Sequence, residues 1–216
     1  MSNLQGRSGS TALELPLAQG PLVTASLELV RGDSLYLRGD ASTELYRVEA
    51  GLLKLFVNTE SGRERILALA GPGDYLGALD PQVARRPENA EALSRSVRLS
   101  VLSGPFDDQL RLTALGNQLR QLRDALEDTE LPVPVRLART MERLGERFGQ
   151  QQSDGSTRLT LPLTHDNLAA MVGAARETTS FVLAAMRRSG VVAGTRGVYT
   201  FSPAAMRDFA AQNTAV

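Results

Sequence analysis

The pair best suited to recognition chemistry in this sequence is an arginine followed at once by a glutamate, Arg176-Glu177. A guanidinium gives two hydrogen bonds to guanine O6 and N7, and a carboxylate accepts one from cytosine N4. At about 100° per residue of helix, Thr179, Val182, Leu183 and Met186 share one apolar face. The opposite face carries Arg176, Glu177, Ser180, Ala184 and Arg187, with Phe181 and Arg188 toward its edge. An aromatic ring on that polar face has two readings. Phe181 either packs on a thymine methyl group or folds back onto the protein. Arg187, Arg188 and Arg196 have the charge and reach for phosphate contacts.

Side chains can do this only if the chain presents them to a groove, and the flanking sequence predicts such a frame. Thr164 is an N-cap for a short helix over residues 166–172, with Asp166 at its positive end. Gly173-Ala174 permits a tight turn, and the Arg176 helix follows at once. Two short helices joined by a small glycine-containing turn form a helix-turn-helix, whose second helix offers its N-terminal residues to base edges. Two apolar runs, 191–193 and 198–201, then flank a glycine turn and read as a β-hairpin wing. Ser202-Pro203 opens a last helix reaching about Gln212.

Upstream, Leu112, Leu115, Leu119, Leu122 and Leu126 recur at alternating spacings of three and four between polar residues. That narrow seam suits a coiled-coil partner, hence a homodimer; the alternative is packing on the chain's own β-domain. Leu131-Pro132-Val133-Pro134 breaks the helix. Leu137, Met141, Leu144 and Phe148 then mark an amphipathic helix ending at Gly149. Residues 150–157 are polar, turn-rich and exposed, and 159–163 form a short strand that Pro162 confines to an edge or terminus. Before the leucine seam, strand-length apolar runs alternate with turn signals such as Glu60-Ser61-Gly62, the pattern of a sandwich or barrel.

Composition narrows the classes. The chain has 216 residues, 24 basic and 24 acidic side chains, one histidine and no cysteine. Iron–sulfur and thiol chemistry are thereby excluded, and zero net charge leaves room for a local basic face. No apolar run approaches the roughly 20 residues of a membrane span, and the polar start lacks a signal-peptide core, so the expected compartment is the cytoplasm. An enzyme of metal-binding barrel type would need several converging histidines and carboxylates, yet the β-region has no histidine. No enzyme activity, metal or cofactor is expected.

The stretch LTHDNLAAMVGAARETTSFVLAAMRRSGVV resembles the helix-turn-helix of the cyclic-AMP receptor protein/FNR family of bacterial transcription factors. VPVRLARTMERL is similar to that family's first C-terminal-domain helix, the leucine seam to its dimer helix, and GDYLGALD to its β-roll segment. The resemblance covers nearly the whole chain in order. It implies base reading by Arg176 and Glu177, backbone contacts near Thr164, His165 and Thr178, and contact with RNA polymerase as an activator through the 150–155 loop. Phe181 stands where many members have a further guanine-reading arginine, and Ala175 where a capping Ser or Thr is frequent. In nucleotide-binding members a Glu grips the ribose and an Arg-Ser holds the cyclic phosphate. Here Ala78 follows Gly77, and Pro87 and Glu88 align with the Arg-Ser, which implies a degenerate effector pocket.

The expected architecture is α+β: a disordered start (1–12), a jelly-roll-like β-roll of the cyclic-nucleotide-binding type (13–104), a dimerisation helix (105–130) and a winged helix-turn-helix (131–216). The expected function is sequence-specific binding of double-stranded DNA as a homodimer, without cyclic AMP and without a membrane. Two alternatives remain open: a regulator sensing a nucleotide-like molecule in its β-roll, and a dimeric ligand-binding module that does not bind DNA.

Overall fold

The computed structural model describes residues 22–77, 82, 84–103, 108–195 and 197–214, the side chains of 124 and 125 excepted. The start assigned to disorder, Ala78 and Arg196 lie outside the described residues.

Eight strands build the N-terminal half: β1 (Leu22–Val30), β2 (Ser34–Tyr36), β3 (Leu45–Ala50), β4 (Leu53–Asn58), β5 (Glu64–Ala70), β6 (Tyr75–Gly77), β7 (Asn89–Ala92) and β8 (Ser96–Ser103). They form two antiparallel four-stranded sheets in the orders β1-β8-β3-β6 and β2-β7-β4-β5. Period-two alternation decides what points inward. Val48, Leu53, Leu55, Ala90, Ala92, Val97 and Leu99 meet between the sheets as one core. Strand β4 departs from simple alternation, with Leu53, Lys54, Leu55 and Phe56 all buried. Its outer face is covered as well, because Phe56, Ile66 and Leu69 pack into the core of the C-terminal half. The chain's single lysine, Lys54, is held on that face by Glu64 and by Glu91 at 3.2 Å, with Phe56 beneath it at 4.4 Å.

Helix α1 (Asp108–Glu127) turns Ala114 and Leu110 toward the β-roll. Its leucine seam faces the other way and is bare: Leu112, Leu119 and Leu126 are 67%, 68% and 73% exposed. Helix α2 (Val133–Phe148) starts on Pro132 and Pro134, where a missing N–H costs nothing, and buries Leu137, Met141 and Leu144. Asp128, in the turn between them, is buried and takes Arg139 at 3.0 Å together with Arg143.

The remainder is β9 (Gln150–Gln151), β10 (Thr157–Thr160), α3 (His165–Val172), α4 (Arg176–Arg188), β11 (Val192–Thr195), β12 (Val198–Phe201) and α5 (Pro203–Gln212). The third sheet runs β11-β12-β10-β9. The polar segment after α2 is exposed and turn-rich over 150–155 as expected, but Gln151 pairs with Thr157, which is buried. One expectation needs correction. The strand expected over 159–163 begins at Thr157, stops at Thr160 ahead of Pro162, and lies between two neighbours, so the proline never meets the ladder.

The recognition helix α4 sits on Thr179, Val182, Leu183 and Met186, all buried as their spacing requires. Leu183 is fully enclosed. Leu183→Ala should lower unfolding stability by about 2–5 kcal/mol, read from the denaturant midpoint.

Candidate nucleic-acid interface

The DNA-facing geometry begins at the cap of α3. Thr164 Oγ1 accepts from the Asn167 N–H at 3.1 Å, and Asn167 Oδ1 accepts from the Thr164 N–H at 2.9 Å. Both partners of this capping box are occupied. The Thr164 hydroxyl, expected on phosphate, takes part in the cap while the residue remains exposed. Gly173 ends α3 at φ +64°, a left-handed conformation that favours glycine, and so makes the tight turn into α4. Ala175 precedes α4 without a side-chain cap, as its methyl group dictates.

Arg176, Glu177 and Thr178 project from the exposed first turn of α4. Arg176 Nε lies 3.5 Å from Asp166 Oδ1, both side chains well exposed. Phe181 is 69% exposed, which rules out its folding back onto the wing or the first helix. Ser180 is half-buried and shares a 2.8 Å hydrogen bond with His165 Nδ1, linking the start of α3 to α4. This bond was not foreseen: the two residues are fifteen apart in sequence, and only the packing of the two helices joins them. Burial lowers the imidazole pKa, and the Arg187 and Arg176 cations push the same way against Asp166.

Arg188 is exposed as expected, whereas Arg187 corrects the reading. Its Nε donates to Gly194 O at 2.8 Å, its guanidinium lies 6.0 Å from the Tyr199 ring, and its Nη2 is buried without a partner. Arg187 braces the recognition helix against the wing instead of standing free for phosphate.

Inside the β-roll, Arg86 lies outside any strand, ahead of a bend at 87–88 that precedes β7, and it turns inward. Arg86 is 2% exposed, with its guanidinium 4.5 Å from the Tyr36 ring and 5.6 Å from that of Tyr46. Its Nη2 donates to Glu44 O at 3.0 Å and lies 3.5 Å from Glu44 Oε2. Gly77 adjoins Arg86 Nη1 so closely that a side chain there would collide with it. The interior cation is thus Arg86, with the half-buried Glu88 nearby. Glu88 Oε1 accepts from the Tyr36 hydroxyl at 3.1 Å, and burial raises the Glu88 pKa. Among the described residues no cluster of His, Asp or Glu could hold a metal, and no helix is long and apolar enough to cross a membrane.

A β-roll joined through a long helix to a winged helix-turn-helix defines a class, the two-part DNA-binding transcription regulator. Comparison with known proteins agrees over both parts. Residues 26–111 match the cyclic nucleotide-binding domain, and residues 135–209 the Crp-like helix-turn-helix domain. The transcriptional regulator LdrP of Thermus thermophilus is 30% identical over 186 residues, 82% of this chain and 92% of that one. A CRP-like cAMP-activated global transcriptional regulator of Mycobacterium tuberculosis is 29% identical over 76% of this chain and 78% of its own. A solved CRP/FNR-family regulator from Thermus thermophilus superposes with a TM-score of 0.71 at 26% identity, covering 88% of this chain and all of the other. The chain belongs to the CRP/FNR family of transcriptional regulators.

The lowered His165 pKa carries a sign. Unfolding frees the imidazole to take a proton more readily than it does when folded, so stability is full above the unfolded value of about 6.5 and falls as pH drops below it. Thermal melts between neutral pH and pH values near 5.5 should show that loss, and His165→Gln should flatten this part of the profile.

Proposed function

We propose that this regulator is a homodimeric, sequence-specific activator that binds a near-palindromic DNA site without cyclic AMP. The observation that carries the base-reading part is the division of α4. Its apolar stripe is sealed in the core while Arg176, Glu177 and Phe181 stand in solvent at its N-terminal half. Arg176 reads a guanine, Glu177 a cytosine, and the Phe181 ring packs on a thymine methyl at the neighbouring step, with Ser180 beside them. Thr178, Arg188 and Arg196 serve the phosphates. His165, near the same surface, supports the backbone contact chiefly through Ser180.

The bare leucine seam of α1 supports the dimer. Two such seams zipped together would set paired recognition helices about one duplex turn, ~34 Å, apart. Independence from cyclic AMP rests on Ala78, which has no carboxylate for a ribose, and on Arg86, whose guanidinium already lies against Glu44 and two tyrosine rings. The exposed turn after β9 is the surface assigned to RNA polymerase. One observation favours an effector-dependent reading instead: Arg86 Nε and Nη1 are buried without hydrogen-bond partners, so a small anionic ligand in the β-roll would satisfy them.

Selection of bound DNA with purified protein and no added ligand separates these readings. Enrichment of a near-palindrome is expected. On the selected site, Arg176→Ala and Glu177→Ala should each cost about 1–3 kcal/mol, and Phe181→Arg should turn the neighbouring preference from T toward G. Unchanged affinity in both of the first two variants removes the base-reading assignment; enrichment only after a cellular extract is added supports the effector.

The dimer makes a separate claim. Leu119→Glu should convert the protein to a monomer in light scattering and abolish binding to the full palindrome while leaving the thermal melt of the winged domain in place.

A further inference from the structure

Between β5, α1 and α2 lies a cavity of about 430 Å³ that belongs neither to the β-roll interior nor to the recognition helix. Five arginines line it: Arg65 from β5, Arg120 from α1, and Arg136, Arg143 and Arg147 from α2. Only two acids, Asp128 and Glu146, share the lining. Two of the five cations are accounted for. Arg143 is taken by Asp128, which also holds Arg139, and Arg147 is taken by Asp74 and by Leu69 O.

Arg136 and Arg65 are in a different position. Arg136 Nη1 donates to Val172 O at 2.7 Å, at the C-terminus of α3, but its Nε is buried without a partner. Arg65 makes no hydrogen bond or ion pair among the described residues, and its guanidinium presses against Gly173 in the helix-turn-helix turn. Burial lowers the Arg65 pKa, and the Arg136 cation lowers it further. Two guanidinium groups therefore share a half-buried site, and among the described residues neither is paired with Asp128 or Glu146. An uncompensated cation in such surroundings is costly, and an anion between two of them offsets desolvation and mutual repulsion together. The volume is in the range of small-molecule sites. Guanidinium forks fit phosphate oxygens, and a single monovalent ion would leave one cation unanswered.

We propose that this interdomain cavity binds a multiply charged, phosphate-bearing small molecule between Arg65 and Arg136. Its occupant would touch β5 of the β-roll and, through Arg136, the end of α3, so it would bear on how the winged domain is seated.

Calorimetric titration of the full-length protein with sodium pyrophosphate, in salt of about 0.15 M to suppress loose surface binding, tests this. Saturable binding is expected. Arg65→Gln removes a guanidinium that holds no bond in the fold and should weaken binding about tenfold or more, and Arg65→Lys should recover part of the loss. Arg86→Gln in the β-roll and Arg176→Ala at the DNA face should leave it unchanged. Absence of saturable binding, or binding untouched by Arg65→Gln, overturns the proposal. So does a loss in Arg86→Gln with retention in Arg65→Gln, which would move the anion to the β-roll. The titration contains no DNA, so neither result bears on base reading.

Discussion

One apolar stripe, the buried face of α2, holds the two halves of this protein together. Leu137, Met141 and Leu144 lie in a single hydrophobic cluster with Phe56, Ile66 and Leu69 of the β-roll and with Leu168, Leu183 and Met186 of the helix-turn-helix. Apolar burial supplies most of the cohesion but has no direction. Direction comes from guanidinium contacts along the same helix: Arg147 to Asp74 and Leu69 O on one side, Arg136 to Val172 O on the other. The recognition helix is thus seated by a core that it shares with the β-roll. A change in the packing of β4 or β5 has a short path to α3 and α4, through contacts that are already closed.

The same economy governs α4. A helix of 13 residues rests on a core with one face and keeps Arg176, Glu177 and Phe181 exposed on another. Arg187 lies where the faces meet and joins the wing, through Gly194 O, to the helix. That contact ties the wing to the helix that carries Arg176 and Glu177. His165 and Ser180 do the same between the first and second helices.

Features that depend on local periodicity were legible in the sequence. The stripe of α4, the cap at Thr164, the exposed leucine seam and the hairpin of the wing follow from spacing, capping chemistry and glycine placement, which act over a few residues. The features that were not legible depend on tertiary neighbours. Arg86 turns inward from outside any strand, where it meets Glu44 and two tyrosine rings that lie far off in sequence. The pairing of Gln151 with Thr157 gives a polar segment an edge strand that hydropathy does not signal. The Arg65–Arg136 pair unites positions seventy-one apart in sequence (136 − 65), and nothing in either local pattern announces the other.

Zero net charge leaves room for DNA binding through a local basic face, and the cation at the head of α4 is lightly held. Asp166 sits 3.5 Å from Arg176, and both side chains are more than half exposed. An exposed pair of this kind is worth at most about 1 kcal/mol. A bidentate contact to guanine discriminates by about 1–3 kcal/mol, so if Arg176 reads guanine as proposed, exchange of the carboxylate for the base would be favourable on the right sequence and close to balanced on the wrong one. Under the proposed base reading, Asp166 would do two things at once. It would keep the guanidinium near the helix N-terminus before binding, and it would subtract from the attraction that any phosphate-rich duplex exerts. A neighbouring acid that weakens all binding slightly while leaving the matched site ahead sharpens selection, which a surplus of positive charge would blunt.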